Sequence, residues 1–103
     1  MQKATHDFVL AQIRHVIITD SIDEKIEREH KVSSVEVDEM FFNSEERPFI
    51  RKTRDGRYVA FGRTLSGRYL TVVLVWITSD TVKVITARDM AQKEKKYYRR
   101  RRK

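Results

Sequence analysis

TVKVITARDMAQKEKKYY, residues 81–98, changes its periodicity partway along, and that change decides the fold class. Its first seven residues alternate and are rich in β-branched side chains (Val82, Val84, Ile85, Thr86), the composition of a half-buried strand. From Ala87 onward Met90, Ala91, Glu94, Tyr97 and Tyr98 recur at the spacing of one helix face. Thr86, followed three residues later by Asp89, is the expected N-cap. A strand that turns directly into a helix places Arg88 at the junction. There, free backbone N–H groups and a guanidinium both attract anions.

The preceding chain supplies partners for this strand. Residues 69–78, YLTVVLVWIT, are almost continuously apolar, as expected of a central strand covered on both faces. Thr78-Ser-Asp-Thr81 links the two. Further back, residues 49–53 and 58–64 read as strands joined by Arg54-Asp-Gly-Arg57, a hairpin turn of the Asp-Gly kind. Pro48 stands at the head of the first, where a missing N–H does least harm. Before them Ser33-Ser-Val-Glu36 is a capping box with Val32 and Val37 in the staple positions, predicting a helix over 34–42. Asp20 is expected to cap an earlier helix that carries Ile22, Ile26 and His30 on one stripe, and residues 13–19 read as a first strand. The expected order is β-α-α-β-β-β-β-α: class α+β, an antiparallel sheet with helices packed on it. Residues 13–98 form one domain, with 1–12 as a disordered arm and 99–103 as a basic tail that frays.

Charge is distributed unevenly. The net charge is +7, and residues 93–103 hold eight Lys/Arg against one Glu. Residues 20–46 hold ten acids and three bases, whereas 47–92 hold nine bases and three acids. A chain acidic early and basic late points to a polyanionic partner for its second half. There are no cysteines, so neither disulfides nor a thiolate metal site arise, which fits a reducing cytoplasm. No apolar run approaches the roughly 20 residues of a membrane-spanning helix. The first residues, MQKATHD, lack the apolar stretch of a signal peptide.

The three histidines, His6, His15 and His30, have no metal-ligand spacing, so no metal or other cofactor is expected. No phosphate-binding glycine loop or serine nucleophile motif occurs. What remains is a set of cations on or beside the sheet, Arg57, Arg63, Arg68, Lys83 and Arg88, with His30 and the Tyr97–Tyr98 pair. That set suits metal-free RNA cleavage, in which the 2′-OH attacks the adjacent phosphate. Guanidinium groups stabilise the dianionic transition state while His or Tyr moves protons. It suits equally a non-catalytic basic domain that binds RNA, DNA or an acidic protein.

The closing pattern, in which Arg88 ends a strand and Glu94 and Tyr98 follow, resembles that of the BrnT family of bacterial toxins. The likeness extends over roughly residues 16–99. It includes EKIEREHKVS (24–33), DGRYVAFGR (55–63) and GRYLTVV (67–73). The pattern differs at Glu29, commonly Lys in that family, at Lys31, where a Gly is usual, and at Trp76-Ile77-Thr78, where an Arg often ends the central strand. The resemblance implies a RelE-like fold and ribonuclease activity against cellular RNA. It also implies neutralisation by a cognate antitoxin that usually binds DNA. Taken with the cation set, the expected catalytic residues are Arg88 and Arg63, holding the scissile phosphate, and His30 and Tyr98, moving protons, with Arg57, Arg68 and Lys83 as substrate contacts and Glu94 as structural support.

Overall fold

The computed structural model describes residues 13–53 and 55–102, the side chain of Arg102 excepted. The expected arm at 1–12 therefore lies outside the described residues. The elements are β1 (His15–Ile17), α1 (Asp20–His30), α2 (Ser34–Phe41), β2 (Phe49–Lys52), β3 (Tyr58–Arg63), β4 (Tyr69–Thr78), β5 (Thr81–Asp89) and α3 (Gln92–Arg102). The order is the one the hydrophobic periodicities predict. Strands β2 to β5 form an antiparallel meander, and β1 pairs parallel to β5 at the far edge. The sheet is thus mixed, in the order β1-β5-β4-β3-β2. Helices α1 and α2 carry the chain from one edge of this sheet to the other.

Local signals set the helix boundaries. Ser33 Oγ accepts from the Glu36 N–H at 3.1 Å while Glu36 Oε1 accepts from the Ser33 N–H at 3.0 Å, the reciprocal capping box. The staple valines, Val32 and Val37, are both fully buried. The cap of α1 is Thr19 rather than Asp20: Thr19 Oγ1 accepts from the Ile22 N–H, and Asp20 becomes the first helical residue. There its charge complements the helix dipole. Lys31 terminates α1 in the left-handed region, with φ of 56°.

Two cores sandwich the sheet. On one face Ile26 of α1 and Val37 and Met40 of α2 pack on Leu70, Val72, Leu74, Val82 and Val84. Gly62 lets α2 approach β3 closely, since a Cβ there would lie 2.6 Å from Met40 Cγ. On the other face α3 lays Tyr98 against Val59, Phe61 and Met90. Tyr97 sits edge-on to both Phe49 and Phe61.

Two expectations are corrected at the C-terminal end. Thr86 does not cap a helix. Thr86, Ala87 and Arg88 continue the ladder opposite Val73, Val72 and Thr71, so β5 runs to Asp89 and α3 begins only at Gln92. The orphan N–H of Ala91 is instead taken by Glu94 Oε1 at 2.8 Å. Nor does the helix fray from residue 99, for it runs to Arg102. Arg99 lies 5.4 Å from the Tyr69 ring centroid and Arg101 4.9 Å from that of Phe49. Cation–π contacts thus give this part of the charge run an attachment to the sheet.

Candidate active site

Strand β5 ends beside the start of β4 and the end of β3, so the C-terminal residues of β3 and β5 share one end of the sheet. Register places Thr71 opposite Arg88 and Tyr69 opposite Arg63. All four project toward the α3 side, since the alternate residues, Leu70, Val72 and Ala87, fill the opposite core. Arg63 and Arg88 are two strands and two residues apart, roughly 12 Å between Cα atoms.

Arg88 is held by Glu94 through a two-pronged contact, Nη1 to Oε1 and Nη2 to Oε2, both at 2.8 Å. Its Nη1 also donates to the Asp89 carbonyl. Glu94 further accepts from Thr71 Oγ1 at 3.0 Å and from the Ala91 N–H. With the guanidinium as its strongest partner, against the opposing effect of burial, the Glu94 carboxyl is lowered to about 2. The expected supporting carboxylate is therefore the hub of this contact set. Of the five N–H groups of Arg88, Nε–H and one on Nη2 have no partner among the described residues, and its side chain is 41% exposed.

Arg63 is seated differently. Its Nε and Nη2 donate to the Gly67 carbonyl, its Nη1 reaches Glu46 at 3.5 Å, and it lies 4.6 Å from the Tyr69 ring centroid. Glu46 also accepts the Tyr98 hydroxyl at 2.8 Å. The loop that carries Glu46 is tied by Asn43, whose Oδ1 accepts the N–H groups of Glu45 and Glu46 and whose Nδ2 donates to the Arg63 carbonyl. Tyr98 is fully buried. Its hydroxyl thus anchors Glu46 and, through it, Arg63, and its ring offers nothing to a solvent-borne substrate.

Arg68 and His30 lie on the other side of the same end. Arg68 donates through Nε and Nη2 to Asp89, through Nη1 to Glu36 and the Lys31 carbonyl, and through Nη2 to the His30 carbonyl. All five N–H groups are used inside the protein, which leaves none for a phosphate and makes Arg68 a clamp between α1, α2 and β5. Asp89 is lowered in turn by this guanidinium. The His30 imidazole is part-exposed, with Nε2 4.0 Å from Glu29.

The five cations do not converge. Arg57 stands at the opposite end of β3 from Arg63, about 20 Å away, beside Asp55. Lys83 pairs in register with Val75, well along the sheet from Arg88. Of the expected set, Arg63, Arg88, Glu94 and Tyr98 gather on the α3 side, and His30 and Arg68 on the α1–α2 side. Sequence reasoning missed Glu46, Asn43, Thr71 and Asp89. No local spacing relates Glu46 to Tyr98, its partner 52 residues away. Among the described residues no three His, Asp or Glu gather to hold a metal ion, and no helix is long and apolar enough to cross a membrane.

A family model described as "Ribonuclease toxin, BrnT, of type II toxin-antitoxin system" matches residues 12–94. The crystal structure of the Brucella abortus ribonuclease toxin BrnT superimposes with a TM-score of 0.60 at 15% identity, covering 76% of this chain and 97% of that one. At that identity the likeness speaks for the fold. No curated protein sequence matches the chain. The family match covers most of the described domain, including the Arg88–Glu94 pair, and on it the chain belongs to the BrnT family of ribonuclease toxins of type II toxin–antitoxin systems.

Proposed function

We propose that this toxin is a metal-independent endoribonuclease that acts in the cytoplasm and inhibits growth by cleaving RNA. In this reading it is neutralised by a cognate antitoxin that also binds DNA. The main support is the seating of Arg88: a half-exposed guanidinium, fixed by Glu94 and retaining N–H donors directed away from its partner. A preorganised cation of that kind stabilises charge as it develops on a phosphate without reorganising at the moment of reaction.

The chemistry is attack of a ribose 2′-OH on the adjacent phosphorus. The bond to the 5′-oxygen breaks, leaving a 2′,3′-cyclic phosphate and a 5′-OH. Arg88 contacts the phosphate, and Arg63 extends the cationic surface along the strand ends toward the next phosphate. His30, at the same end of the sheet but on its α1–α2 side, is the proton-transfer candidate for an RNA strand that passes over that end from Arg88. Tyr98 enters as the anchor of Glu46 and Arg63, given its burial. Arg68 holds the α1–α2 corner that carries His30.

The test uses purified protein and total RNA with and without a chelator. Wild type should produce 5′-OH ends in either condition. Arg88→Ala should lower the cleavage rate by about 100-fold or more, and Arg88→Lys should also be impaired because a point charge cannot replace a fork held at two oxygens. Thermal melting shows whether each variant is folded. If the wild type binds RNA and leaves it intact, the enzyme reading fails and the basic-domain alternative takes its place.

A further inference from the structure

The two faces of the sheet are covered unequally. Five strands about 4.8 Å apart span roughly 19 Å, the width of two helices of about 10 Å each laid side by side. One face carries two, α1 over β5 and α2 over β3 and β4. The other carries, among the described residues, α3 alone, packed chiefly on β2 and β3. On that side, among the described residues, no helix covers β1, the second half of β4 or the part of β5 before Arg88, which α3 reaches through Glu94.

The residues left there are not those of an ordinary solvated face. Alternation puts Val16 into the core and turns His15 and Ile17 outward, and Ile17 is 40% exposed. Val73 and Val75 lie on the same side of β4 and belong to neither core. A register shift between Val73 and Leu74 sets Ile85 as an extra residue beside Val73, which makes a β-bulge. Lys83 stands opposite Val75 and beside Ile17. The surface is therefore a strip of β-branched side chains with Lys83 and the polar His15 within it and the Arg88 guanidinium at its end. The carboxylates at its margins are already engaged, Glu94 by Arg88 and Asp80 by Thr78 and Thr81.

We infer that this strip is the docking surface for an amphipathic helix of the antitoxin, laid beside α3 with an apolar stripe on Ile17, Val73, Val75 and Ile85 and acidic flanks toward Lys83 and Arg88. The inference rests on the toxin reading for the identity of the partner. Width and charge select the occupant. The vacancy is one helix wide, apolar along its middle and cationic at its rim, so an acidic amphipathic helix fits and a nucleic acid does not, because β-branched side chains offer a phosphate nothing. A helix seated there also lies against Arg88, which couples docking to loss of activity.

The experiment co-expresses the chain with the product of the gene adjacent to its own and compares hydrogen exchange of the chain free and in the complex. Protection should concentrate in residues 15–17, 73–77 and 82–86. Val75→Glu, placing a carboxylate in the middle of the strip, should weaken that complex by about 30-fold or more, the scale of a central interface residue. Ile17→Ser, on an edge strand, provides a second variant if Val75→Glu unfolds. Both should cleave RNA at the wild-type rate. Protection confined to the α1–α2 face, or unchanged affinity in both variants, overturns the inference and leaves the ribonuclease reading intact. Light scattering on the chain alone gives the other adverse outcome: a dimer dissociated by Val75→Glu would make the strip a contact between copies. Absence of RNA cleavage by wild type would instead strike the toxin reading, whatever the exchange pattern shows.

Discussion

Glu94 touches one strand, one linker and one guanidinium, and its substitution is the most informative single change. Its carboxyl is lowered to about 2 by Arg88, with the Ala91 N–H and Thr71 adding to the effect against burial. A carboxylate whose folded pKa is depressed contributes stability that is fully present above its unfolded value, near 4.5, and is lost as pH falls toward 2. For a side chain 24% exposed the contribution is on the order of 2 kcal/mol. Glu94→Gln should therefore lower stability at pH 7 and flatten its pH dependence between about 4.5 and 2, measured by urea unfolding across that range. Equal pH slopes for the two proteins would show that the pair contributes nothing.

Two backbone positions make sharper predictions at the same scale. Gly67 has φ of 95°, and a Cβ there would stand 2.8 Å from Arg63 Nη2. Gly67→Ala should cost about 1–2 kcal/mol and dislodge Arg63 from the Gly67 carbonyl, so that RNA affinity falls along with the melting temperature. Lys31 has the opposite problem: it occupies a left-handed helix terminus where glycine is the better residue. Lys31→Gly should raise stability by about 1 kcal/mol and keep the carbonyl that Arg68 uses. A destabilised variant would mean that the lysine side chain makes a contribution larger than its backbone cost.

Among the elements, α3 unites functions that the sequence keeps apart. Its first turn supplies Glu94, its middle supplies Tyr97 and Tyr98 to the second core, and its last turns lay Arg99 and Arg101 on aromatic rings. Removal of residues 99–103 should consequently do two things. Loss of the ring contacts should cost about 1 kcal/mol of stability. Loss of five cations should reduce the slope of log K against log salt for single-stranded RNA by about 3, while single-turnover cleavage at saturating RNA stays near wild type. A truncated protein that is folded and inactive at saturation would place the tail in the active site.

At the scale of the molecule, eight of the ten acids of residues 20–46 lie on the two helices of one face, Glu45 and Glu46 standing in the loop beyond them, and many of the cations lie on α3 and on the strands facing it. On the proposed reading RNA is repelled from the first side and attracted to the second, where Arg63 and Arg88 are. Binding should thus weaken steeply with salt while Lys25→Glu, on the α1 side, changes it little.

Much of this architecture was legible in the chain because it rests on short-range physics. The capping box at Ser33 and Glu36, the Asp-Gly turn, and the nearly unbroken apolar run of residues 69–78 are read within a few residues, so they announce themselves locally. The pairing of Arg88 with Glu94 was within reach for the same reason, since six residues span one strand–helix junction. Tertiary structure decided the rest. That β5 continues past Thr86 follows from ladder pairing with β4, and that β1 joins in parallel follows from where two helices deliver the chain. The binding of Tyr98 to Glu46, and of Arg68 to Asp89, Glu36 and two carbonyls, joins residues 21 to 52 apart. No local spacing encodes such contacts. Each arises because burying a hydroxyl or a guanidinium obliges it to find partners wherever the packed chain brings them.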